Sequence, residues 1–241
     1  MNILFIGAHP DDLEILCGGT IARYASLGHE VWMAVATNGN VGSPTLTREE
    51  IAAVRKKEAF AASQRLGATG FLWLDEDDEF LIESREVRLK FVDAIREAKA
   101  DIIVTHNPQD YHPDHIACSK LATDARILSA VRLIETAHPH LATSPELFYM
   151  DSVAGINFNP QFYVDISGEF STKMEALKCH DSQNAWLKSI FNQELMDAAR
   201  IQADFRGLQV GVSKAEAYSQ PAYWPRRAVT LPGMVQSGPA A

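Results

Sequence analysis

Two short stretches of the sequence combine residue types that bind metal ions with residue types that move protons. The stretch "AHPDD" is separated by one glycine from an apolar run, "ILFI", and the stretch "YHPDH" comes a few residues after a second apolar run, "IIV". Each stretch contains a His-Pro-Asp triplet and adds one more residue with a metal-binding side chain. Together they supply three histidines and three aspartates, which are His9, Asp11, Asp12, His112, Asp114 and His115.

These residue types fit a catalytic zinc site. Such a site has three protein ligands, commonly imidazole nitrogens and carboxylate oxygens, and keeps one position open for water. His9, Asp12 and His115 would supply that set. The ligand types suit Zn²⁺ and also Fe²⁺, because nitrogen and oxygen sites discriminate poorly among divalent ions. Because a bound zinc ion polarises a carbonyl oxygen and lowers the pKa of water to about 7, the pattern predicts a metal-dependent hydrolase that attacks a carbonyl group.

The other residues of the two triplets can be given catalytic roles. Asp11, next to a ligand but free itself, is the predicted general base. His112 would stabilise the oxyanion or protonate the leaving amine, and Asp114 would fix the tautomer of His112. The competing interpretation is helix capping, by Asp11 with Glu14 and by Asp114. Capping does not explain why each triplet carries a histidine, so we favour an active site.

The elements that must position these residues form an alternating pattern of strands and helices in the first half of the chain. Short β-branched and apolar runs alternate with amphipathic segments, which predicts a parallel sheet covered by helices. Thr47 and Glu50 form a predicted capping box at the start of one helix. We therefore expect a three-layer α/β domain of Rossmann-like type with a mostly parallel sheet, in which ligands bind outside the carboxyl ends of the strands.

The second half of the chain shows a weaker pattern. "ELFYM" and "QFYVDI" are predicted strands, and residues 169–180 are a predicted helix. Residues 189–206 are interpreted either as a helix packed on the core or as part of an oligomer contact. We expect one domain over residues 1–220 and a C-terminal tail over 221–241. The sequence "WPRR" is interpreted as part of a disordered or packing tail, with a position over a neighbouring subunit's cleft as the alternative.

Composition and charge limit the classes of function. The chain has 241 residues, of which 46% are hydrophobic, and 31 acidic against 22 basic residues give a net charge of −9. This charge argues against nucleic acid and anionic membranes as partners. Three isolated cysteines argue against disulfides and a thiolate metal site, and no apolar run is long enough for a membrane span. We expect a cytoplasmic protein with a small-molecule substrate.

The motifs resemble those of the PIG-L/LmbE-like family of zinc-dependent deacetylases. The resemblance rests on "AHPDDLEILCGGT" and "YHPDH", and extends to "TNGNVGS", an R-x-x-E pattern at Arg55 and Glu58, "KCHDSQ" and "GVSKAEAY". Leu13 stands where many members have Glu, a variant that resembles the bacillithiol-type branch. The resemblance implies an LmbE-like fold, removal of N-acetyl groups from N-acetylglucosamine-containing substrates, and a possible homo-oligomer.

The resemblance also implies roles for individual residues. It agrees with zinc on His9, Asp12 and His115, with Asp11 as base and with His112 as electrophilic partner. For Arg55 it favours a substrate contact over a solvated basic face. Independently of the resemblance, Asp110 is interpreted as a contact to sugar hydroxyls, with loop solvation as the alternative, and both His106 and His180 are interpreted as structural.

Two other functions stay open at this level. The residue set defines attack on a carbonyl group, so a metal-dependent amidase acting on a non-sugar N-acyl metabolite fits it too. A sugar-binding protein that keeps the metal without turnover is the alternative from another class. Asp11 argues against that second alternative, because a metal site that only binds needs no spare carboxylate beside it.

Overall fold

The computed structural model describes residues 1–223 and 231–236. Eight strands and seven helices are assigned within these residues. The strands are β1 (Asn2–Gly7), β2 (Glu30–Thr37), β3 (Gly70–Glu76), β4 (Ile102–Thr105), β5 (Glu146–Met150), β6 (Phe162–Asp165), β7 (Ala215–Ser219) and β8 (Met234–Gln236). The helices are α1 (Asp12–Ser26), α2 (Arg48–Arg65), α3 (Arg85–Glu97), α4 (Pro113–Leu128), α5 (Phe170–Leu177), α6 (Asp181–Phe191) and α7 (Leu195–Val210).

All eight strands form one sheet, in the order β3-β2-β1-β4-β5-β7-β6-β8. The first five strands of that order are parallel, and the last three run antiparallel to their neighbours. The mostly parallel sheet is therefore confirmed. The chain leaves β1 toward β2 on one side and later returns to β4 on the other side of β1. This switch in direction opens a crevice at the carboxyl ends of β1 and β4, where open α/β sheets bind ligands.

Helices cover both faces of the sheet. Ile3 and Phe5 of β1 belong to a core cluster with residues of α1, α2, α5 and α7, whereas Leu4 and Ile6 belong to a second cluster with residues of α3 and α4. Successive side chains of a strand point to opposite faces, so a central strand covered on both faces must be apolar throughout. The three-layer architecture predicted from the sequence is confirmed.

Local signals fix helix α2 as expected. The side chain of Thr47 accepts a hydrogen bond from the backbone N–H of Glu50 at 3.3 Å, and the carboxylate of Glu50 accepts one from the backbone N–H of Thr47 at 2.9 Å. This reciprocal capping box satisfies two amides that the first turn of a helix leaves unpaired. The helix that carries Arg55 thus starts at a defined residue.

Strand β7 was not predicted. Its sequence, "AEAYS", has low β-propensity and a charged residue in its middle, yet Glu216 is buried. Glu216 is partnered by Lys173, whose Nζ lies 2.6 Å away, and by the backbone amides of Gly19 and Thr20. A buried charge with these partners is stable in the interior. Tertiary contacts that no local pattern reveals therefore place this strand between β5 and β6.

The chain after residue 220 differs from the expected tail. Leu231 is buried in the core and Met234 packs against it, so β8 pairs with β6 at the edge of the sheet. Burial of these apolar side chains outweighs the tendency of a terminal segment to stay free. The "WPRR" sequence and residues 237–241 lie outside the described residues.

Residues 189–206 are divided between α6 and α7, and α7 packs on the core through Leu195, Ala199 and Ala203. Within the described ranges, no helix is both long and apolar enough to cross a membrane.

Candidate active site

The two His-Pro-Asp stretches meet at the carboxyl ends of β1 and β4. These strands are neighbours, and Ile6 pairs with Thr105 near their ends. The loops that follow bring residues 8–12 and 106–115 to the floor of a cavity of about 320 Å³, a size within the range of about 300–1,000 Å³ for small-molecule sites. Six of the eight predicted site residues line the cavity. The six are His9, Asp11, Asp12, Arg55, His112 and His115.

The three predicted metal ligands point their donor atoms at one place. His9 Nδ1 lies 3.2 Å from His115 Nε2 and 3.4 Å from Asp12 Oδ2, and His115 Nε2 lies 3.3 Å from Asp12 Oδ1. Ligand atoms that surround a tetrahedral zinc ion at about 2.0 Å are separated from one another by about 3.3 Å. The spacing of the donor atoms therefore fits a zinc-sized ion.

Other groups of donor atoms close to the cluster are already occupied. Neighbouring sets bring in His106, His112, Asp78 and Asp114. His106 Nε2 accepts a hydrogen bond from the backbone N–H of Ala8 at 2.9 Å. Asp114 accepts two backbone hydrogen bonds, and Asp78 lies 3.5 Å from the guanidinium of Arg55. Asp12 Oδ2 likewise accepts a hydrogen bond from the backbone N–H of His9 at 2.6 Å, but Asp12 Oδ1 lies 3.3 Å from His115 Nε2 and would be available to an ion.

The electrostatics of the cluster favour a positive charge at its centre. Burial acts to lower the pKa of His9, but Asp12, Asp114 and Asp78 outweigh burial and raise it well above its usual range. Burial likewise acts to lower the pKa of His115, and Asp12 and Asp110 raise it to about 9. Burial acts to raise the pKa of Asp12, yet His115, His106 and His9 hold it well below its usual range. Carboxylates that stabilise a proton on two histidines would equally stabilise a divalent cation.

Carboxylates also orient both histidines from behind. His9 Nε2, on the far side of the ring from Nδ1, lies 3.2 Å from Asp78 Oδ1 and 3.3 Å from Asp114 Oδ2. His115 Nδ1 lies 3.2 Å from Asp110 Oδ1. Metal-binding histidines usually have such a carboxylate partner, which fixes the tautomer and the ring orientation.

The role predicted for Asp110 is wrong. Its side chain is fully buried behind His115 and does not line the cavity, so it cannot reach sugar hydroxyls. Its carboxylate instead accepts a hydrogen bond from the backbone N–H of His112 at 3.0 Å. The loop after β4 turns back on itself, and this turn points Asp110 inward.

The contact predicted between the side chains of Asp114 and His112 is also not observed. The Asp114 carboxylate accepts hydrogen bonds from the backbone N–H groups of Glu79 at 2.8 Å and Leu81 at 3.2 Å. The tautomer of His112 is set by the backbone of Asp114, whose N–H donates to His112 Nδ1 at 3.2 Å. Neutral His112 therefore carries its proton on Nε2, which lies 3.3 Å from Glu79 Oε1. Burial, followed by the nearby His9, lowers the pKa of His112 and favours this neutral form.

Asp11 has a strained backbone and no capping bond. Its backbone φ angle is 143°, a value that residues other than glycine rarely adopt, and its side chain makes no cap hydrogen bond to α1. The capping interpretation of this residue is therefore wrong. Burial raises the pKa of the Asp11 carboxyl to about 6, against the effect of Arg55 and together with that of Asp12. Strain and a raised pKa are both common at catalytic positions.

Arg55 is buried and holds the floor together. Its Nη2 atom donates to the carbonyl oxygen of Pro10 at 3.0 Å and lies 3.5 Å from Asp11 Oδ2, and Nη1 lies 3.5 Å from Asp78 Oδ2. The solvated basic face considered for Arg55 is thus excluded. Gly39 leaves room for it, because a Cβ at that residue would lie 2.5 Å from the Arg55 side chain.

Asp78 was not predicted as a site residue, and the two histidines interpreted as structural, His106 and His180, are both fully buried. Asp78 follows β3, in an acidic stretch that has no histidine to draw attention to it. The sequence offered one signal for Asp78, its position just after a parallel strand, because ligands bind at the carboxyl ends of such strands. His106 stacks on His115 with ring centroids 4.0 Å apart. His180 is fully buried beside Glu14, with 3.5 Å between His180 Nε2 and Glu14 Oε1.

Helix α6 forms the side of the cavity that faces this floor. Gln183, Trp186, Leu187 and Phe191 of α6 line the cavity. The first turn of α6 is held by Glu58, which accepts a hydrogen bond from the backbone N–H of Ser182 at 3.0 Å. The R-x-x-E pattern of α2 therefore serves both sides of the cavity, because Arg55 contacts the floor and Glu58 anchors α6.

Comparison with known proteins agrees with this geometry. Residues 4–126, about half of the chain, match the family model PIG-L, described as GlcNAc-PI de-N-acetylase. The chain is 29% identical over 193 residues to a diacetylchitobiose deacetylase of Thermococcus kodakarensis, which covers 76% of this chain and 70% of that protein. The structure of an N,N'-diacetylchitobiose deacetylase from Pyrococcus horikoshii superimposes with a TM-score of 0.79 at 27% identity, over 90% of this chain and 82% of that one.

The same fold also occurs in an enzyme with another activity. A 4-carboxy-2-hydroxymuconate hydratase from Pseudomonas putida superimposes with a TM-score of 0.81 over 96% of this chain and 100% of that one, at 22% identity. This likeness concerns the fold alone, so the assignment rests on the family match and the deacetylase relatives. The chain belongs to the PIG-L family of metal-dependent N-deacetylases.

Proposed function

We propose that this deacetylase removes the N-acetyl group from an N-acetylglucosamine-type sugar or conjugate with the help of a divalent metal ion. The observation that carries the proposal is the convergence of His9, Asp12 and His115 donor atoms at 3.2–3.4 Å, with the Asp11 carboxylate beside them in the cavity. The diacetylchitobiose deacetylases among its relatives support the sugar substrate. The predicted cytoplasmic location and homo-oligomer stay predictions.

His9, Asp12 and His115 would hold the ion, and both Zn²⁺ and Fe²⁺ suit these ligands. When bound, the ion supplies a Lewis acid that polarises the amide carbonyl and makes water more acidic. The carboxylates of Asp78, Asp114 and Asp110 keep the two imidazole rings oriented toward it.

Asp11 is the proposed general base. It would take the proton of the attacking water on a carboxylate oxygen while the new bond to the acetyl carbon forms. A base of this kind works best when its pKa lies near the working pH, and burial moves the Asp11 pKa in that direction. Arg55 would keep the carboxylate in place through the contact at 3.5 Å. A direct substrate contact by Arg55 stays a prediction.

His112 is the proposed electrophilic partner. Its Nδ1 atom accepts a backbone hydrogen bond, so Nε2 carries the proton. That proton would be donated to the acetyl oxygen or to the departing amine nitrogen instead of to Glu79, whose Oε1 lies 3.3 Å from Nε2. The carbon–nitrogen bond breaks as the nitrogen receives a proton, and the products are acetate and the free amino sugar. Asp114 contributes through its backbone amide and through its carboxylate behind His9.

Acetate release tests the proposal. We expect the metal-loaded protein to release acetate from N-acetylglucosamine or N,N'-diacetylchitobiose, and the chelator-treated protein to release none until metal is restored. Asp11→Asn should retain the metal and lose about 10²- to 10⁴-fold in kcat, the usual contribution of a general base. Asp197→Asn, an exposed carboxylate on α7, is the matched control and should behave like the wild type.

Two results would contradict the proposal. Unchanged turnover in Asp11→Asn would remove this residue from the mechanism. Bound metal without acetate release from any N-acetylated sugar would favour an amidase acting on a non-sugar N-acyl metabolite or a protein that only binds sugar.

A further inference from the structure

The cavity has two unlike sides. Opposite the polar floor, its wall is apolar and comes from α6, the start of α7 and two loops, through Val41, Val153, Trp186, Leu187, Phe191 and Leu195. The rings of Trp186 and Phe191 pack edge to face with centroids 5.8 Å apart. The hydroxyl and acetamide groups of an amino sugar suit the polar floor, whereas the C–H face of one sugar ring covers only part of a wall built from six apolar side chains.

Part of this wall is not needed to build the core. Among the residues that the structure describes, Trp186, Phe191 and Val41 belong to none of the hydrophobic clusters, and Phe191 is 58% exposed. Large apolar side chains gain free energy when they leave water, and aromatic side chains in contiguous exposed patches commonly mark binding sites. The patch is continuous with the cavity floor, so a group attached to a ligand on the floor can extend to the patch.

The charge around the cavity disfavours an anionic ligand. In the described part of the chain, four carboxylates line the cavity, and the one guanidinium is that of Arg55. Arg55 is 3% exposed, and its two terminal nitrogens already contact Asp11 and Asp78. Even with the two positive charges of a divalent ion, the sum over these groups is −1. The four carboxylates belong to Asp11, Asp12, Asp78 and Glu79.

We propose that the substrate of this site is an N-acetylated amino sugar joined to an uncharged apolar group, an aryl or alkyl aglycone, which binds against Trp186 and Phe191. The inference rests on the proposed deacetylase function and names its substrate class. The acetamide enters the floor, and the aglycone covers the apolar wall. This contact is remote from the reacting carbonyl, so it stabilises the bound substrate and the transition state alike and lowers KM with little change in kcat.

A series of 2-acetamido-2-deoxy-β-D-glucopyranosides tests the inference. The acetamide and sugar stay constant while the aglycone is methyl, phenyl, 4-carbamoylphenyl or 4-carboxyphenyl. We expect kcat/KM for the phenyl glycoside to exceed that for the methyl glycoside by about tenfold, through KM, a gain of the size that apolar pockets give. The two substituted phenyl groups have the same shape, so a lower kcat/KM for the carboxylate isolates the effect of charge.

Substitutions in the wall sharpen the test. Trp186→Ala should reduce the phenyl-to-methyl ratio of kcat/KM to about twofold, and Phe191→Ala should reduce it by less. Ile190→Ala is the matched control, because Ile190 lies on the same helix, is 56% exposed and does not line the cavity. Val41→Lys adds a cation to the wall and should raise kcat/KM for the 4-carboxyphenyl glycoside relative to the 4-carbamoylphenyl glycoside.

The outcomes separate the inference from the deacetylase function. Acetate release from the methyl glycoside with no preference for phenyl overturns the apolar aglycone and leaves the deacetylase standing. An unchanged ratio in Trp186→Ala, together with a change in oligomeric state, also overturns the inference and assigns the patch to a protein contact. No release from any glycoside by the metal-loaded protein overturns both proposals.

Discussion

The floor and the wall of the cavity are built in different ways. The floor comes from loops directly after parallel strands, where His9 and His115 are buried and held by carboxylates on both sides of each ring. The wall comes mainly from α6, whose Phe191 is more than half exposed. Groups that must keep their geometry within fractions of an ångström lie on the rigid sheet, whereas groups that select the substrate lie on a peripheral helix.

The largest expected effect is the loss of a metal ligand from the floor. His115→Ala removes one of three donor atoms, so we expect bound zinc to fall by more than the about 10- to 100-fold that follows loss of a ligand's hydrogen-bond partner. Acetate release should fall with it. Metal analysis after dialysis measures the first effect, and circular dichroism checks that the fold is kept.

A surface histidine provides the control for this variant. His138→Ala removes a ring that is 38% exposed and pairs with Asp93. Neither residue lines the cavity. The variant should bind zinc like the wild type. Full zinc occupancy in His115→Ala would show that the ion, if present, is held by other residues.

A smaller effect is expected from the carboxylate behind His115. Asp110→Asn keeps the shape of the side chain but weakens its hold on His115 Nδ1. Zinc affinity should fall by about 10- to 100-fold, as measured by competition with a chelator. If zinc affinity is unchanged while KM rises, Asp110 contacts the substrate, and its assignment behind His115 is incorrect.

The smallest effect should separate the wall from the floor. Glu58→Ala removes the acceptor for the backbone N–H of Ser182 and loosens the start of α6, a cost similar to the about 1 kcal/mol of a lost helix cap. KM for the phenyl glycoside should rise severalfold while bound zinc stays constant. Glu49→Ala, an exposed acid on the same helix, is the control. Loss of zinc in Glu58→Ala would mean that floor and wall are not independent.

Sequence reasoning worked well for the floor because chain position and geometry coincide there. His9, Asp12 and His115 follow strands that turned out to be neighbours, so their order along the chain indicated their meeting in space. The start of α2 at Thr47 could also be predicted from the sequence, since both partners of the capping box, Thr47 and Glu50, lie within one helical turn.

The remaining features depend on contacts between distant segments. Asp78 joins the site only because β3 ends at the same edge of the sheet, and it contacts an arginine 23 residues earlier in the chain. The orientations of Asp110 and Asp114 depend on how the loop after β4 turns, which residue types do not reveal. Strand β7 depends on a buried ion pair between residues 43 positions apart. The apolar wall has no sequence motif, because its members come from four segments of the chain.

The most direct test of the central claim is anomalous X-ray diffraction at the zinc edge from crystals grown with zinc. The account predicts one strong peak in the cavity, about 2.0–2.3 Å from His9 Nδ1, an Asp12 carboxylate oxygen and His115 Nε2. A peak on His106 or between Asp78 and Asp114, or no peak in the cavity, would contradict it.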